Sequence, residues 1–120
     1  MTSSAPGGSP RLIPRIFTDD PVGLVAFIQT VFGATAEVVP GRPTTLRWGE
    51  SVLLVSDTET RTAQAACLYL YVPDVDAAYE RAVEHGATSI EVPTDVPYGE
   101  RRATVQDSWG NTWQVARSLS

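Results

Sequence analysis

The chain is written twice. A short apolar segment, an amphipathic helix closed by Gly-Ala-Thr and three β-rich segments occupy residues 11–56, and the same order returns in residues 67–117. The two Gly-Ala-Thr marks fall at 33–35 and 86–88. The first helix follows RLIPRIFT and leads into AEVV, TTLRW and SVLLVS; the second follows CLYLYV and leads into SIEV, RATVQ and NTWQVAR. Turn residues break the β-rich parts at PGRP, WGES, PTDVPYG and DSWGN. An internal repeat of this size fixes the architecture more tightly than any single motif. It specifies an α+β fold of two βαβββ modules, joined by a linker over 57–66. Neither module is long enough to enclose a core alone, so the two must pair, within one chain or between two.

The helices carry their own punctuation. In DPVGLVAFIQTVFG, Asp20 is placed to cap the N-terminus, Pro21 suits the first helical position and Gly33 ends the run. Leu24, Phe27, Ile28, Val31 and Phe32 recur at i, i+3, i+4, i+7 and i+8, one face of a helix. In DVDAAYERAVEHG, Asp74 caps, Val75, Ala78, Tyr79, Ala82 and Val83 repeat that spacing, and Gly86 stops the helix. Asp76, Glu80, Arg81 and Glu84 are left for solvent.

Composition removes several classes of function. A chain of 120 residues, 42% hydrophobic, holds one domain's core. The net charge of −5, with no basic run, argues against nucleic acid, which is bound through clustered Lys and Arg. The single Cys67 makes no internal disulfide, and nothing calls for an oxidising compartment. MTSSAPGGSPR has no apolar core of a signal peptide and reads as a flexible tail over 1–10. No apolar stretch reaches the ~20 residues of a membrane span. A cytoplasmic protein is expected.

The stretches AFIQTVFGAT, YVPDVDAAYERAVEHGAT and PYGERRATVQDSWGNTWQVA, in this order and spacing, resemble the vicinal oxygen chelate superfamily of glyoxalases, bleomycin-resistance proteins and extradiol dioxygenases. DSWGN is similar to the family's D-P-x-G-N turn, with Ser108 in place of Pro. The resemblance covers about residues 12–117. It implies a cup-shaped mixed sheet with helices on the convex face and metal or ligand in the cup.

The resemblance also says where metal ligands would stand: near Ile13 and Pro14 on the first strand, near Leu54 on the fourth, at Cys67 or Tyr69 before the second helix, and at Gln114 on the last strand. None is His, Asp or Glu. Divalent-metal chemistry needs such charged or imidazole ligands around open positions, so no metal and no cofactor are expected. The lone His85 falls in the last turn of the second helix, where its charge suits the helix C-terminus. Cys67 reads as a small buried apolar residue.

Strand alternation, anchored on an inward Gln114, gives the lining. Thr112, Ala116, Cys67, Tyr69, Tyr71, Arg15, Phe17, Arg102, Thr104 and Gln106 then face inward, while Trp113, Val115, Leu68, Leu70, Val72, Ile16, Ala103 and Val105 face the helices. Trp48, Tyr98 and Trp109 lie in or beside turns and serve as pocket rim or as dimer contacts. Glu100-Arg101-Arg102 doubles as an ordinary solvated charge run. The expected ligand-binding set is Arg15, Phe17, Trp48, Tyr69, Tyr71, Tyr98, Arg102, Thr104, Trp109 and Gln114, aromatic walls with a few donors. Arg15 and Arg102 favour an aromatic, acidic or quinone-like compound.

The expected function is binding of a small aromatic natural product or toxic metabolite by a homodimer, without metal and without touching membrane or nucleic acid. The alternatives are a lyase, isomerase or dioxygenase of the same superfamily, using a metal or acid–base work by Tyr69, Tyr71 or Glu100, and a partner protein whose cup is filled by side chains.

Overall fold

The computed structural model describes residues 10–58 and 62–120, so the expected flexible tail, apart from residue 10, and residues 59–61 of the expected linker lie outside the described residues. The chain divides into two compact units, residues 1–64 and 65–120. Both are α+β and both follow the βαβββ order.

The first unit runs β1 (Arg15–Thr18), α1 (Pro21–Phe32), β2 (Thr35–Glu37), β3 (Thr44–Trp48) and β4 (Ser51–Asp57). Its sheet has the order β1-β4-β3-β2, with β1 and β4 parallel and the other pairs antiparallel. Helix α1 starts where the sequence says: the Asp20 carboxylate accepts from the Gly23 N–H and Pro21 is the first residue. Gly33 ends it in the left-handed region at φ 75°, its N–H returning to the Gln29 carbonyl. Leu24, Phe27, Ile28, Val31 and Phe32 are all buried. They share this core with Ile16, Leu46, Leu53 and Val55, each such burial giving roughly 1.5–3 kcal/mol of hydrophobic stabilisation. Gln64 folds back on β1, exchanging two backbone hydrogen bonds with Phe17.

The second unit runs β5 (Cys67–Tyr71), α2 (Val75–Glu84), β6 (Thr88–Val96), β7 (Glu100–Gln106) and β8 (Thr112–Ser118). Its sheet order, β5-β8-β7-β6, repeats that of the first. Helix α2 packs on β6, β7 and β8. Its buried residues are Val75, Ala78 and Ala82, small side chains that let the helix lie close to Ala103, Val105, Trp113 and Val115.

Three details differ from the sequence expectation. PTDVPYG does not end β6, which continues through Pro93 to Val96. An edge strand tolerates a residue without an N–H, and register shifts between Ser89 and Glu91 and between Glu91 and Thr94 absorb the irregularity. Tyr79 and Val83 are not core: Tyr79 donates its hydroxyl to Ser89 and Val83 is exposed, because α2 needs only the narrow stripe at 75, 78 and 82. Leu68 and Leu70 in β5, and Val72 just after it, are half-buried rather than fully buried, since β5 is the sheet's edge and α2 packs chiefly on β6, β7 and β8.

Candidate functional site: the open face of the second sheet

Cross-strand register sets the site. The row Tyr69–Gln114–Thr104–Glu91 crosses β5, β8, β7 and β6, and the next row is Tyr71–Ala116–Arg102–Thr94. Residues in register share a face. Trp113, Val115, Ala103 and Val105 alternate with these and form the α2 side, so the two rows lie on the face opposite the helix. One step beyond them, Glu100 pairs with Ser118.

The side chains of this face form one hydrogen-bonded system. Tyr69 donates its hydroxyl to Oε1 of Glu100 and Tyr71 donates to Oε2, each at 2.6 Å. The two rings meet edge to face with centroids 5.5 Å apart. Ala116 lies in register between Tyr71 and Arg102, and its small side chain leaves space for this contact. Arg102 forks onto Glu91, Nε to Oε1 at 2.9 Å and Nη2 to Oε2 at 3.1 Å, and its Nη1 donates to the Tyr98 hydroxyl. Thr104 completes the set by donating to Glu91 at 3.1 Å.

Electrostatics follow from these bonds. A phenol whose proton is held by a carboxylate resists ionisation, and the bond to Glu100 pushes Tyr69 up to about 12. Tyr71 is raised by the same cause. Glu100 is held below the usual carboxylate range by the two phenols, and Glu91 is held low by Arg102. The phenols are neutral and both carboxylates ionised near neutral pH.

The residues expected to bind ligand divide into groups. Tyr69, Tyr71, Tyr98, Arg102, Thr104 and Gln114 share the face just described. Trp109 lies at the other end of the sheet, in the turn that Ser108 ties to the Gly86 carbonyl, away from Tyr98. Arg15 and Phe17 belong to the first unit, on the face of β1 opposite Ile16. There the Arg15 Nε donates to Ser56 and its guanidinium lies 4.9 Å from the Phe17 ring. Trp48, two residues on from Leu46, shares the α1 side of its sheet and donates its indole N–H to the Phe32 carbonyl at 2.9 Å. It closes the end of a helix rather than standing with the open-face residues.

Two carboxylates escaped or were underrated by the sequence reading. Glu91 sits in a strand whose bulged register no alternation rule anticipates, and only its pairing opposite Thr104 brings it to Arg102. Glu100 was legible as a cup-side residue by its parity with Arg102, but its hold on two tyrosines was not. Cys67 is exposed, not buried, since it starts the edge strand on the open face.

The DSWGN turn has a structural task. Asp107, buried, accepts from the backbone N–H of Trp109 and Asn111, from the Asn111 amide and from the Trp113 indole. Asn111, also buried, accepts from the Ala66 N–H and so fastens the start of β5. The turn sets the β5–β8 register, and with it the Tyr69–Gln114 pair.

A divalent metal of the kind used by the superfamily's enzymes does not fit the donors here. Tyr69 keeps its proton, Gln114 is a neutral amide, and among the described residues no group of three His, Cys, Asp or Glu is placed to hold a metal ion. The one histidine, His85, caps α2, its Nδ1 2.8 Å from the Arg81 carbonyl.

The fold agrees with the comparisons. The family model of the Glyoxalase/Bleomycin resistance protein/Dioxygenase superfamily matches residues 14–115, and the chain belongs to that superfamily. It is similar to the uncharacterized protein Mb0911c of Mycobacterium bovis, 29% identical over 128 residues, covering 92% of this chain and 84% of that one. Among solved structures it resembles TioX from Micromonospora sp. ML1, with TM-score 0.77, 23% identity and coverage of 90% and 98%. It also resembles a glyoxalase/bleomycin resistance protein/dioxygenase family enzyme from Burkholderia phytofirmans PsJN, with TM-score 0.79, 25% identity and coverage of 89% and 97%. Among the described residues no helix is long and apolar enough to cross a membrane.

Proposed function

We propose that this protein binds and sequesters a small aromatic natural product or toxic metabolite on the open face of the second sheet, with no metal and no bond broken. The observation that carries the reading is the Tyr69–Glu100–Tyr71 arrangement beside Arg102, Tyr98 and Gln114. Its rings are 42% and 63% exposed for Tyr69 and Tyr71, yet held in one geometry by shared hydrogen bonds. Rigid, exposed aromatics lose little entropy on binding a planar ligand and keep a polar handle. The superfamily's usual metal chemistry finds no suitable donors at these positions. Sequestration then works by mass action, and a homodimer is part of the proposal.

The test is a ligand-observed NMR screen of aromatic antibiotics and planar metabolites, with compound recovery measured afterwards. At least one compound is expected to bind, to be recovered unchanged, and to lose binding in Tyr69→Ala and Tyr71→Ala. Turnover of the bound compound, or one tightly held transition metal per chain by elemental analysis of untagged protein, overturns the proposal in favour of an enzyme.

A further inference from the structure

We infer that Glu100, flanked by the phenol oxygens of Tyr69 and Tyr71, is a subsite for the protonated amine of a small ligand, and that this face discriminates against carboxylates. The inference rests on the binding reading above and names the ligand chemistry it implies.

The argument starts from where the polar hydrogens go. Both hydroxyls of Tyr69 and Tyr71 are donated to Glu100, Nε and Nη2 of Arg102 are donated to Glu91, Nη1 of Arg102 to Tyr98, and the Thr104 hydroxyl to Glu91. An incoming carboxylate at Glu100 therefore finds no free hydrogen on Tyr69 or Tyr71; two guanidinium hydrogens of Arg102, the Tyr98 hydroxyl hydrogen and the Gln114 amide are outside these bonds, so the discrimination rests on the charge of Glu100. Acceptors remain in surplus: each Glu100 oxygen takes a single phenolic hydrogen and keeps capacity for another, and so does each phenol oxygen.

Charge points the same way. Arg102 and Glu91 are an ion pair at 2.9 Å and cancel. Glu100 has no ion-pair partner among the described residues, which leaves the cluster one negative charge. The arginine that makes the sequence look suited to an acidic ligand is thus already matched by a carboxylate of its own sheet. An ammonium has three donors and no acceptor. Seated on Glu100 it would also meet two tyrosine rings, whose negative faces attract cations.

Three probes sharing one ring isolate the charge: benzylammonium, benzyl alcohol and benzoate, titrated against the full chain by protein-observed NMR. The expected order of affinity is benzylammonium, then benzyl alcohol, then benzoate, with shifts centred on β5 and β7. Glu100→Gln is expected to weaken benzylammonium about tenfold, the scale of a charge-assisted hydrogen bond, and to weaken benzyl alcohol less. Tyr71→Phe keeps the Glu100 charge and both rings, so it is expected to keep the preference for benzylammonium over benzoate, which keeps the test open if Glu100→Gln unfolds. Equal affinity for benzylammonium and benzyl alcohol, a preference for benzoate, or a Glu100→Gln protein that holds benzylammonium undiminished overturns the amine subsite. Those results leave the broader binding proposal to the antibiotic screen.

Discussion

The Trp113 indole N–H donates to the buried carboxylate of Asp107 at 2.8 Å. This single bond ties the α2-side core to the turn that sets the register of the open face. Trp113 is 1% exposed. Trp113→Ala is expected to lose about 3–5 kcal/mol, as for other buried large-to-small changes, and to leave Asp107 short of a donor. Trp113→Phe keeps most of the volume and is expected to cost less. Tyr69→Ala, on the open face, is expected to melt close to the parent. Chemical denaturation of the three variants measures the contrast, and a Trp113→Ala protein as stable as the parent would show that this core assignment is wrong.

Tyr69 gives a spectroscopic prediction. Its folded pKa is raised to about 12, chiefly by the bond to Glu100, against an ordinary value near 10. A raised folded pKa means that the stability it confers is fully present below the unfolded value and is lost as pH climbs from about 10 to about 12. An ultraviolet titration is expected to show two late-ionising tyrosines among the four, Tyr69 and Tyr71, both moved back toward the ordinary value by Glu100→Gln. Simultaneous ionisation of all four near pH 10 counts against the hydrogen bond.

Arg101 is expected to behave as a clamp, unlike a free surface charge. Its Nε and Nη2 reach both oxygens of Asp76 in the first turn of α2, at 2.8 and 3.0 Å, and its Nη1 reaches Asp95 on β6 at 2.9 Å. Asp76 is held low by this contact. A depressed carboxylate contributes stability above its unfolded pKa, lost as pH falls through the folded one. Arg101→Ala is expected to lower the melting temperature slightly at neutral pH, and less in high salt, because the pair is partly exposed. Its melting is also expected to depend less on acid pH than the parent's. Identical pH profiles for the two proteins argue against the clamp.

A homodimer is expected from the exposed apolar surface and the open sheet edges. Ile90, Val92, Tyr71 and Tyr98 of the second unit are all more than half exposed, and β1, β2, β5 and β6 are edge strands. Sedimentation equilibrium at micromolar concentration measures this directly; monomer alone across the accessible range removes the dimer from the proposal.

The amino-acid sequence by itself determined the doubled βαβββ order, both helix caps, the helical face at Leu24, Phe27, Ile28 and Val31, and the inward–outward alternation that separates Tyr69 and Gln114 from Trp113. These features are local: capping, 3.6-residue and two-residue periodicity act within one element, and the residues that write them are neighbours in the chain. Tertiary structure alone decided which charges meet. Glu91 reaches Arg102 only because bulges in β6 alter its register, Glu100 takes both tyrosine hydroxyls only because a single strand, β8, with the small Ala116, separates β5 from β7, and Trp48 turns to the Phe32 carbonyl. Hydrogen bonding and charge pairing depend on a few ångströms between residues 11 to 31 positions apart, a distance that no periodicity within one strand can specify.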